Sequence, residues 1–111
     1  MENKGIGNST TLAKDAVTEE EAKKVLLWLA ESVGGRLRKE KQRAGMVSVE
    51  IKYHTFQTVS HQKQLETASN ADQVIYKAAC QLFRELWNQE PIRLLGIRTS
   101  KLQDESDPVQ M

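Results

Sequence analysis

The stretch Val47-Ser48-Val49-Glu50-Ile51-Lys52-Tyr53-His54 decides the fold class. Aliphatic and aromatic residues occupy its odd positions and polar residues its even positions, which is the period of a strand with one buried and one solvated face. The short link His54–Gln57 separates this strand from a weaker alternation between Thr58 and Leu65. Because a link of this length is typical of a hairpin, we predict two neighbouring antiparallel strands.

An amphipathic helix is predicted ahead of this hairpin. Thr18 is its N-cap, and Glu21 lies three residues later, which is the pattern of a capping box. The apolar stripe repeats every 3.6 residues and stays in phase through Gly34-Gly35 as far as Leu37. Each glycine inside a helix costs about 1 kcal/mol relative to alanine, so the pair is the weakest point of a continuous helix.

A second amphipathic helix is predicted after the hairpin. Asn70 is its expected N-cap, with Gln73 at the third helical position. Pro91 cannot continue a helix and restricts the residue before it, so the helix should end near Asn88.

Two outer segments complete the pattern. Ile6–Leu12 predicts a short edge strand, and the aliphatic run Ile92–Arg98 predicts a last strand. The result is an α+β fold in the order β-α-β-β-α-β, with a four-stranded, mostly antiparallel sheet. Each helix has one apolar stripe, so both must cover the same sheet face and leave the other face open. The side chains expected on the open face are polar: Ser48, Glu50, Lys52, Thr58, Ser60, Gln62, Arg98 and Ser100.

Length and charge fit one domain with a tail. The chain has 111 residues, 16 Lys and Arg against 15 Asp and Glu, and a net charge of +1. We assign residues 1–102 to the domain and 103–111 to a flexible acidic tail. The tail holds three acids and no base, so removing it raises the net charge from +1 to +4. The near-neutral total therefore does not exclude a nucleic-acid partner.

Several classes of protein are disfavoured. The longest apolar stretch, Val25–Ala30, is far shorter than the roughly 20 residues of a membrane span, and no secretory signal opens the chain. A single cysteine, Cys80, cannot form an internal disulfide and fits the cytoplasm. We therefore expect a cytoplasmic protein with no membrane partner.

No catalytic or metal-binding set is visible. His54 and His61 have no Cys or carboxylate partners at metal-ligand spacing, and we interpret them as surface residues. Cys80 has no identifiable base beside it, so it is interpreted as a packing residue. The segment Gly5-Ile6-Gly7 lacks the spacing of a phosphate-binding loop, and its glycines are expected to allow close approach of another backbone.

The open face is the informative feature. Hydroxyls, amides and a few Arg and Lys on a flat surface suit hydrogen bonds to phosphate oxygens, which carry no sequence information. A half-solvated sheet of any function also carries Ser and Thr, because Thr is a good strand residue. The expected face has no Phe or Tyr pair, which argues against base stacking of the sheet-type RNA-binding kind.

Three segments together resemble one family, over residues 4–102. Lys4-Gly5-Ile6-Gly7-Asn8-Ser9-Thr10-Thr11-Leu12 is similar to its "KSIGxSTTF" entry. The run from Val47 through Tyr53-His54-Thr55-Phe56-Gln57-Thr58-Val59-Ser60 is similar to its "Y-x-x-F-x-T-x-T" hairpin. The segment from Pro91 to Leu102 is similar to its last strand, "P-I-R-L-L-G-V-x-x-S-x-L". The family is the little finger, or polymerase-associated, domain of Y-family translesion DNA polymerases, of the bacterial DNA polymerase IV and UmuC (impB/mucB/samB) type.

The resemblance implies a role in lesion bypass and DNA repair within the SOS response. The domain would be a monomer that grips the phosphates of double-stranded primer–template DNA with its open sheet face. Carried over by position, the DNA-binding residues are Gly7, Ser9, Thr11, Lys52, Thr58, Ser60, Gln62, Arg93, Arg98 and Ser100. The family commonly has Arg where this chain has His61 and Lys63, so those two are left outside the set. The domain itself would hold no cofactor and have no catalytic activity, since the catalytic carboxylates and Mg²⁺ of the family belong to the palm domain.

The tail carries one more resemblance. Val109-Gln110-Met111 is similar to the start of a sliding-clamp-binding peptide of the form Q-[LM]-x-L-F. Gln110 and Met111 are therefore expected to contact the clamp, and to bind it poorly without the Leu and Phe of the motif.

Two alternatives remain at this point. A free-standing ferredoxin-like regulatory or dimerisation domain would share the order of elements and use the open face for a protein or small effector. An acylphosphatase-like hydrolase would need an anion-binding loop with Arg after the first strand, whereas this chain has Lys14-Asp15-Ala16-Val17 there.

Overall fold

Six elements follow one another in the computed structural model, which describes residues 5–106. They are β1 (Ile6–Ala16), α1 (Glu19–Lys39), β2 (Gln42–Tyr53), β3 (Thr58–Ser69), α2 (Asp72–Leu86) and β4 (Ile92–Asp104). This is the predicted order, and the α+β class is confirmed.

The four strands form one sheet in the order β1-β4-β2-β3. Every neighbouring pair is antiparallel. The last strand in sequence, β4, therefore lies inside the sheet between β1 and β2. β1 is an edge strand, as predicted, but it continues past Leu12 to Ala16 through an irregular register.

The core lies between one face of the sheet and the two helices. α1 packs mainly over β1 and β4, and α2 over β3 and β2. The odd-numbered residues of the alternating stretch, Val47, Val49, Ile51 and Tyr53, are all buried. Their partners across the core include Leu26, Leu29, Ile75, Leu82 and Phe83. The alternation of β2 therefore predicted correctly which side of the strand is covered.

The first helix begins with the predicted capping box. The backbone N–H of Glu21 donates to Thr18 Oγ1 (3.1 Å), and the Glu21 carboxylate accepts from the N–H of Thr18 (3.2 Å) and of Val17 (2.8 Å). Hydrogen bonding from Val17 is the main cause that holds the pKa of Glu21 below its ordinary value. The cap satisfies N–H groups that have no partner inside a helix.

The glycine pair does not interrupt α1, which runs unbroken from Glu19 to Lys39. Gly34 is buried, and a Cβ atom there would collide with the carboxylate of Asp72, the first residue of α2. A Cβ atom on Gly35 would come no closer than 3.9 Å, to the guanidinium of Arg38. One glycine of the pair thus permits the close approach of the second helix, and the other does not.

The predicted N-cap of the second helix is wrong. The N-cap is Ala71, which makes no side-chain capping bond. The Asn70 amide instead donates to the carbonyl of Gln42 (3.1 Å) and to the carboxylate of Glu105 (2.9 Å). Asn70 therefore ties the start of α2 to the ends of β2 and β4, and these tertiary contacts replace the local cap.

The predicted boundary of the tail also differs. Gln103 and Asp104 pair with Arg43 and Gln42 as the end of β4, and the N–H of Glu105 donates to the carbonyl of Lys41 (2.8 Å). Ser106 donates from its hydroxyl (2.7 Å) and its N–H (2.8 Å) to the Asp104 carboxylate, which lowers the pKa of Asp104. Gln110 and Met111, predicted to contact the clamp, lie outside the described residues.

Cys80 is buried on α2 and has the packing position expected of it. Burial, followed by contact with Cys80, raises the pKa of the neighbouring Tyr76. Neither helix in the described part of the chain has the length and hydrophobicity needed to cross a membrane.

Candidate nucleic-acid interface

The side of the sheet away from the helices is built from rows of aligned residues. One row crosses all four strands as Gly7, Arg98, Ser48 and Gln62. The next crosses as Ser9, Gly96, Glu50 and Ser60, and a third as Thr11, Leu94, Lys52 and Thr58. A fourth row joins Ser100, Met46 and Gln64. Since side chains alternate across a strand, residues in these rows share the face opposite the buried core.

Nine of the ten predicted DNA-binding residues lie in these rows. The tenth, Arg93, lies at a register shift in β4, where Lys52 pairs with Leu94 and Tyr53 with Ile92. The shift leaves Arg93 without a partner residue on β2, and its side chain is exposed at the corner of the sheet beside Lys52. The structure therefore brings the sequence-predicted set onto one surface, named here the open face.

Arg98 lies across the edge strand, where two glycines make room for it. A Cβ atom on Gly7 would stand 3.1 Å from the Cα and Cγ atoms of Arg98, and one on Gly5 would stand 2.9 Å from its Nε. The same atoms would meet the carbonyl oxygens of Ile97 (2.9 Å) and Thr99 (2.6 Å). The glycines thus allow the close backbone approach that was predicted, and they also let the Arg98 side chain lie flat over β1.

A shallow groove of about 530 Å³ runs along the middle of the open face. Its lining residues are Gly7, Asn8, Ser9, Ser48, Glu50, Ser60, Gly96, Ile97 and Arg98. Three of these nine residues are serines, and Gly96 keeps the floor of the groove low between Ser9 and Glu50. Glu50 puts an exposed carboxylate in the same groove as Arg98, so the open face carries one anion close to its cations.

One corner of the open face carries an aromatic residue whose role the sequence did not reveal. Phe56 lies in the link between β2 and β3, and 60% of the residue is exposed. The Arg93 guanidinium lies 4.7 Å from the centroid of its ring and the Lys52 ammonium 5.3 Å. The sequence signals for this cluster are an aromatic residue in a short hairpin link and its match to the Phe of the "Y-x-x-F-x-T-x-T" hairpin.

His61 and Lys63 face the helices. His61 Nε2 lies 3.3 Å from the Glu85 carboxylate, and Lys63 Nζ donates to the Gln81 side chain (2.7 Å), both on α2. Leaving them out of the DNA-binding set is therefore consistent with their position. His54 lies in the exposed link, and residues 5–106 contain no group of three His, Cys, Asp or Glu side chains placed to hold a metal ion.

A known family matches this chain along nearly its whole length. The model of the impB/mucB/samB family C-terminal domain matches residues 3–111. DNA polymerase IV of Clostridium acetobutylicum is 41% identical over 99 residues, which cover 89% of this chain and 25% of that protein. DNA polymerase IV of Bacillus anthracis is 33% identical over 109 residues, 98% of this chain and 26% of that protein. The chain thus spans about a quarter of the length of the curated relatives it matches.

Solved structures share the fold at lower identity. A complex of the beta-clamp processivity factor with the little finger domain of PolIV matches with a TM-score of 0.72 at 21% identity, covering 97% of this chain and 93% of that chain. An insertion ternary complex of Dbh DNA polymerase matches with a TM-score of 0.78 at 16% identity, covering 90% of this chain and 29% of that chain. The family model, which matches nearly the whole chain, shows that this chain belongs to the impB/mucB/samB family and corresponds to the C-terminal domain of that family.

Proposed function

We propose that this domain holds double-stranded primer–template DNA for a translesion polymerase by contacting backbone phosphates through its open face. The observation that carries the proposal is the alignment of small hydroxyl residues and of Arg98 in rows on the one sheet face that no helix covers. Hydroxyls, cationic side chains and backbone N–H groups are the usual donors to phosphate oxygens. Such contacts fix the position of a duplex without reading its sequence.

The charge of the open face supports a modest affinity for DNA. Lys52, Arg93 and Arg98 attract phosphates, while Glu50 in the central groove repels them. A few phosphate contacts give the affinity typical of non-specific binding, with Kd of about 10⁻⁴ to 10⁻⁶ M at physiological salt. Such an affinity suits a domain tethered to a polymerase, because the tether supplies a high local concentration.

We propose further that the domain contributes binding and no polymerase chemistry. The chain matches about a quarter of each curated relative, in the family's C-terminal domain. The catalytic carboxylates and Mg²⁺ that the family resemblance assigns to the palm domain would then lie in another part of the polymerase. The alternative of a free-standing regulatory domain has less support, since the curated relatives that match this chain are DNA polymerases.

The grip can be tested by fluorescence anisotropy with a labelled primer–template duplex at several salt concentrations. Binding should weaken with salt, because each neutralised phosphate releases counterions. Arg98→Ala should weaken binding roughly tenfold for every DNA sequence and reduce the salt slope by about 0.9, the share of one phosphate contact.

Arg84→Ala is the matched control. Arg84 lies on α2, pairs with Glu19 at 2.9 Å and carries the same charge on the covered side of the sheet. Its loss should leave DNA affinity nearly unchanged. Equal effects of the two substitutions, or binding that ignores salt, would exclude phosphate contacts through the open face.

A sliding clamp is the second proposed partner. The support is the solved complex of a beta clamp with a little finger domain, together with the resemblance of Gln110 and Met111 to a clamp-binding motif. This chain should bind a bacterial clamp weakly in surface plasmon resonance. Extending it so that Leu and Phe follow Met111 at the motif's spacing should tighten binding many-fold, and an extension without effect would contradict the assignment.

A further inference from the structure

The corner formed by Phe56, Lys52 and Arg93 has the chemistry of a stacking site. Phe56 is an exposed aromatic residue in a protein whose other phenylalanine, Phe83, is buried. Two cations lie against its ring, and more than half of the residue is still open to a ligand. Aromatic rings interleaved with cations are how proteins bind single-stranded nucleic acid, with bases on the rings and phosphates on the cations.

The ring is held in place by the backbone around it. The N–H of Phe56 donates to the carbonyl of Tyr53 (2.8 Å), and the N–H of Tyr53 donates to the carbonyl of Gln57 (2.9 Å). The N–H of His54 donates to the carbonyl of Pro91 (3.0 Å), which fixes the link to the start of β4. These backbone hydrogen bonds fix the turn that carries Phe56.

Phe56 is also an unfavourable residue for this turn. Its φ is 71°, in the left-handed region that Gly or Asn adopts at lower cost than a bulky residue. The turn itself needs no aromatic side chain, since the ring is directed outside the core. Within the chain the ring contacts the cations of Lys52 and Arg93, and its remaining exposed surface is open to a ligand.

We infer that Phe56 stacks an unpaired base of the DNA whose duplex lies on the open face. This inference rests on the proposed function, which places the duplex on the rows of the open face. The corner adjoins the row of Thr11, Leu94, Lys52 and Thr58. A DNA strand that leaves the duplex at that end of the row would meet the ring. Lys52 and Arg93 hold the ring by cation–π contacts that are weak at exposed sites, so both are available to the flanking phosphates.

The substrate class is thus a primer–template with a single-stranded extension. The duplex part supplies phosphates to the rows, and the extension supplies one base to Phe56. Stacking on an aromatic ring is tolerant of sequence, because every base has a flat face. The site would add affinity for junctions without adding base preference.

The test compares four labelled DNAs in anisotropy titrations with the same protein. They are a blunt duplex, that duplex with a short 5′ extension, with a short 3′ extension, and with an extension of abasic nucleotides. Of the two DNAs with a normal extension, the one of the correct polarity should bind roughly five- to tenfold tighter than the blunt duplex. This gain corresponds to the low end of the stacking energies of bases on aromatic side chains. The abasic extension keeps its phosphates and should lose that gain.

Phe56→Ala should abolish the gain and leave the blunt duplex unaffected, whereas Phe56→Tyr should retain it. The salt slope should not change in either variant, because stacking releases no counterions. Circular dichroism melts confirm that both variants are folded before titration.

Two results would overturn the inference. Equal binding of the normal and abasic extensions would show that phosphates alone are contacted. An equal loss on blunt and extended DNA in Phe56→Ala, or no loss on either, would show that the ring serves the fold or a protein partner. Failure of the proposed function is a separate result, namely a blunt duplex that does not respond to salt or to Arg98→Ala.

Discussion

The two adjacent glycines of α1 should respond in opposite ways to the same substitution. Gly35→Ala places a methyl group where the nearest side-chain atom, in Arg38, is 3.9 Å away, which is ordinary van der Waals contact. Alanine is favoured over glycine inside a helix by about 1 kcal/mol, largely through the unfolded chain. We expect Gly35→Ala to raise the free energy of unfolding by about 1 kcal/mol and Tm by about 4 °C.

Gly34→Ala offers the same helix gain but meets the second helix. Its methyl group would collide with the carboxylate of Asp72 and stand 3.0 Å from Arg38 Nη1. Those two side chains form an ion pair at 2.8 Å, and Arg38 also donates to the carbonyl of Asn70 at 2.8 Å. Displacing Asp72 forfeits about 0.5–1 kcal/mol of a partly exposed pair and adds overpacking of 1–3 kcal/mol. With the helix gain of about 1 kcal/mol subtracted, we expect a net loss of about 0.5–3 kcal/mol.

Urea and thermal unfolding followed by far-UV circular dichroism measure both values. The control is Gly34→Ala in an Asp72→Ala background, where the colliding carboxylate is absent and the methyl group should stabilise by about 1 kcal/mol. Equal stabilisation by Gly34→Ala and Gly35→Ala in the unmodified chain would refute the close approach of α2 to Gly34.

Three further outcomes follow from single contacts. Glu50→Gln, which removes the anion of the central groove, should tighten duplex binding several-fold in anisotropy titrations at low salt, and unchanged or weaker binding would contradict repulsion. Glu21→Gln should make the free energy of unfolding, measured in urea, fall less steeply at acid pH. Because the pKa of Glu21 is lowered in the folded protein, ionised Glu21 stabilises the fold above its unfolded pKa, and this stabilisation is lost as pH falls through the folded pKa. A pH profile identical to that of the unmodified chain would contradict this role of Glu21. Thr99→Val removes the buried hydroxyl that donates to the carbonyl of Ile6 (2.7 Å), and should cost about 1–3 kcal/mol with faster amide exchange in β1, whereas protection equal to that of the unmodified chain would show that the bond is dispensable.

The alternation of β2 predicted more than a strand. Because the side-chain period of a strand is two, burial of Val47, Val49 and Ile51 also places Ser48 and Glu50 on the open face. The open-face position of Ser60 follows in the same way from the weaker alternation of β3, and pairing with Ser48 places Arg98 on the same face. Most of the predicted surface therefore needed only one correct assignment of sides.

What the sequence did not predict depends on contacts between distant segments. Strand order is not encoded in alternation, so nothing local placed β4 between β1 and β2. Asn70 has the sequence pattern of a helix N-cap, but its side-chain amide donates hydrogen bonds to Gln42 and Glu105 instead. Strict alternation from Arg98 would turn Arg93 towards the helices, and only the register shift beside Tyr53 exposes it. The prediction that Arg93 lies on the open face therefore came from the family resemblance and not from the alternation of side chains along the strand.

The central place of β4 has a consequence for how the chain folds during synthesis. Of the six elements described, Ile92–Asp104 is made last, yet it pairs with both β1 and β2. Until it has left the ribosome, β1 has no partner strand, and the β2–β3 hairpin has an unpaired edge. Non-local pairings of this kind slow folding and leave strand edges open to aggregation. We therefore expect the sheet to form in one late step, with α1 and α2 covering the apolar residues of the nascent chain before it. A chain released before Ile92 should fold poorly and be degraded readily by proteases.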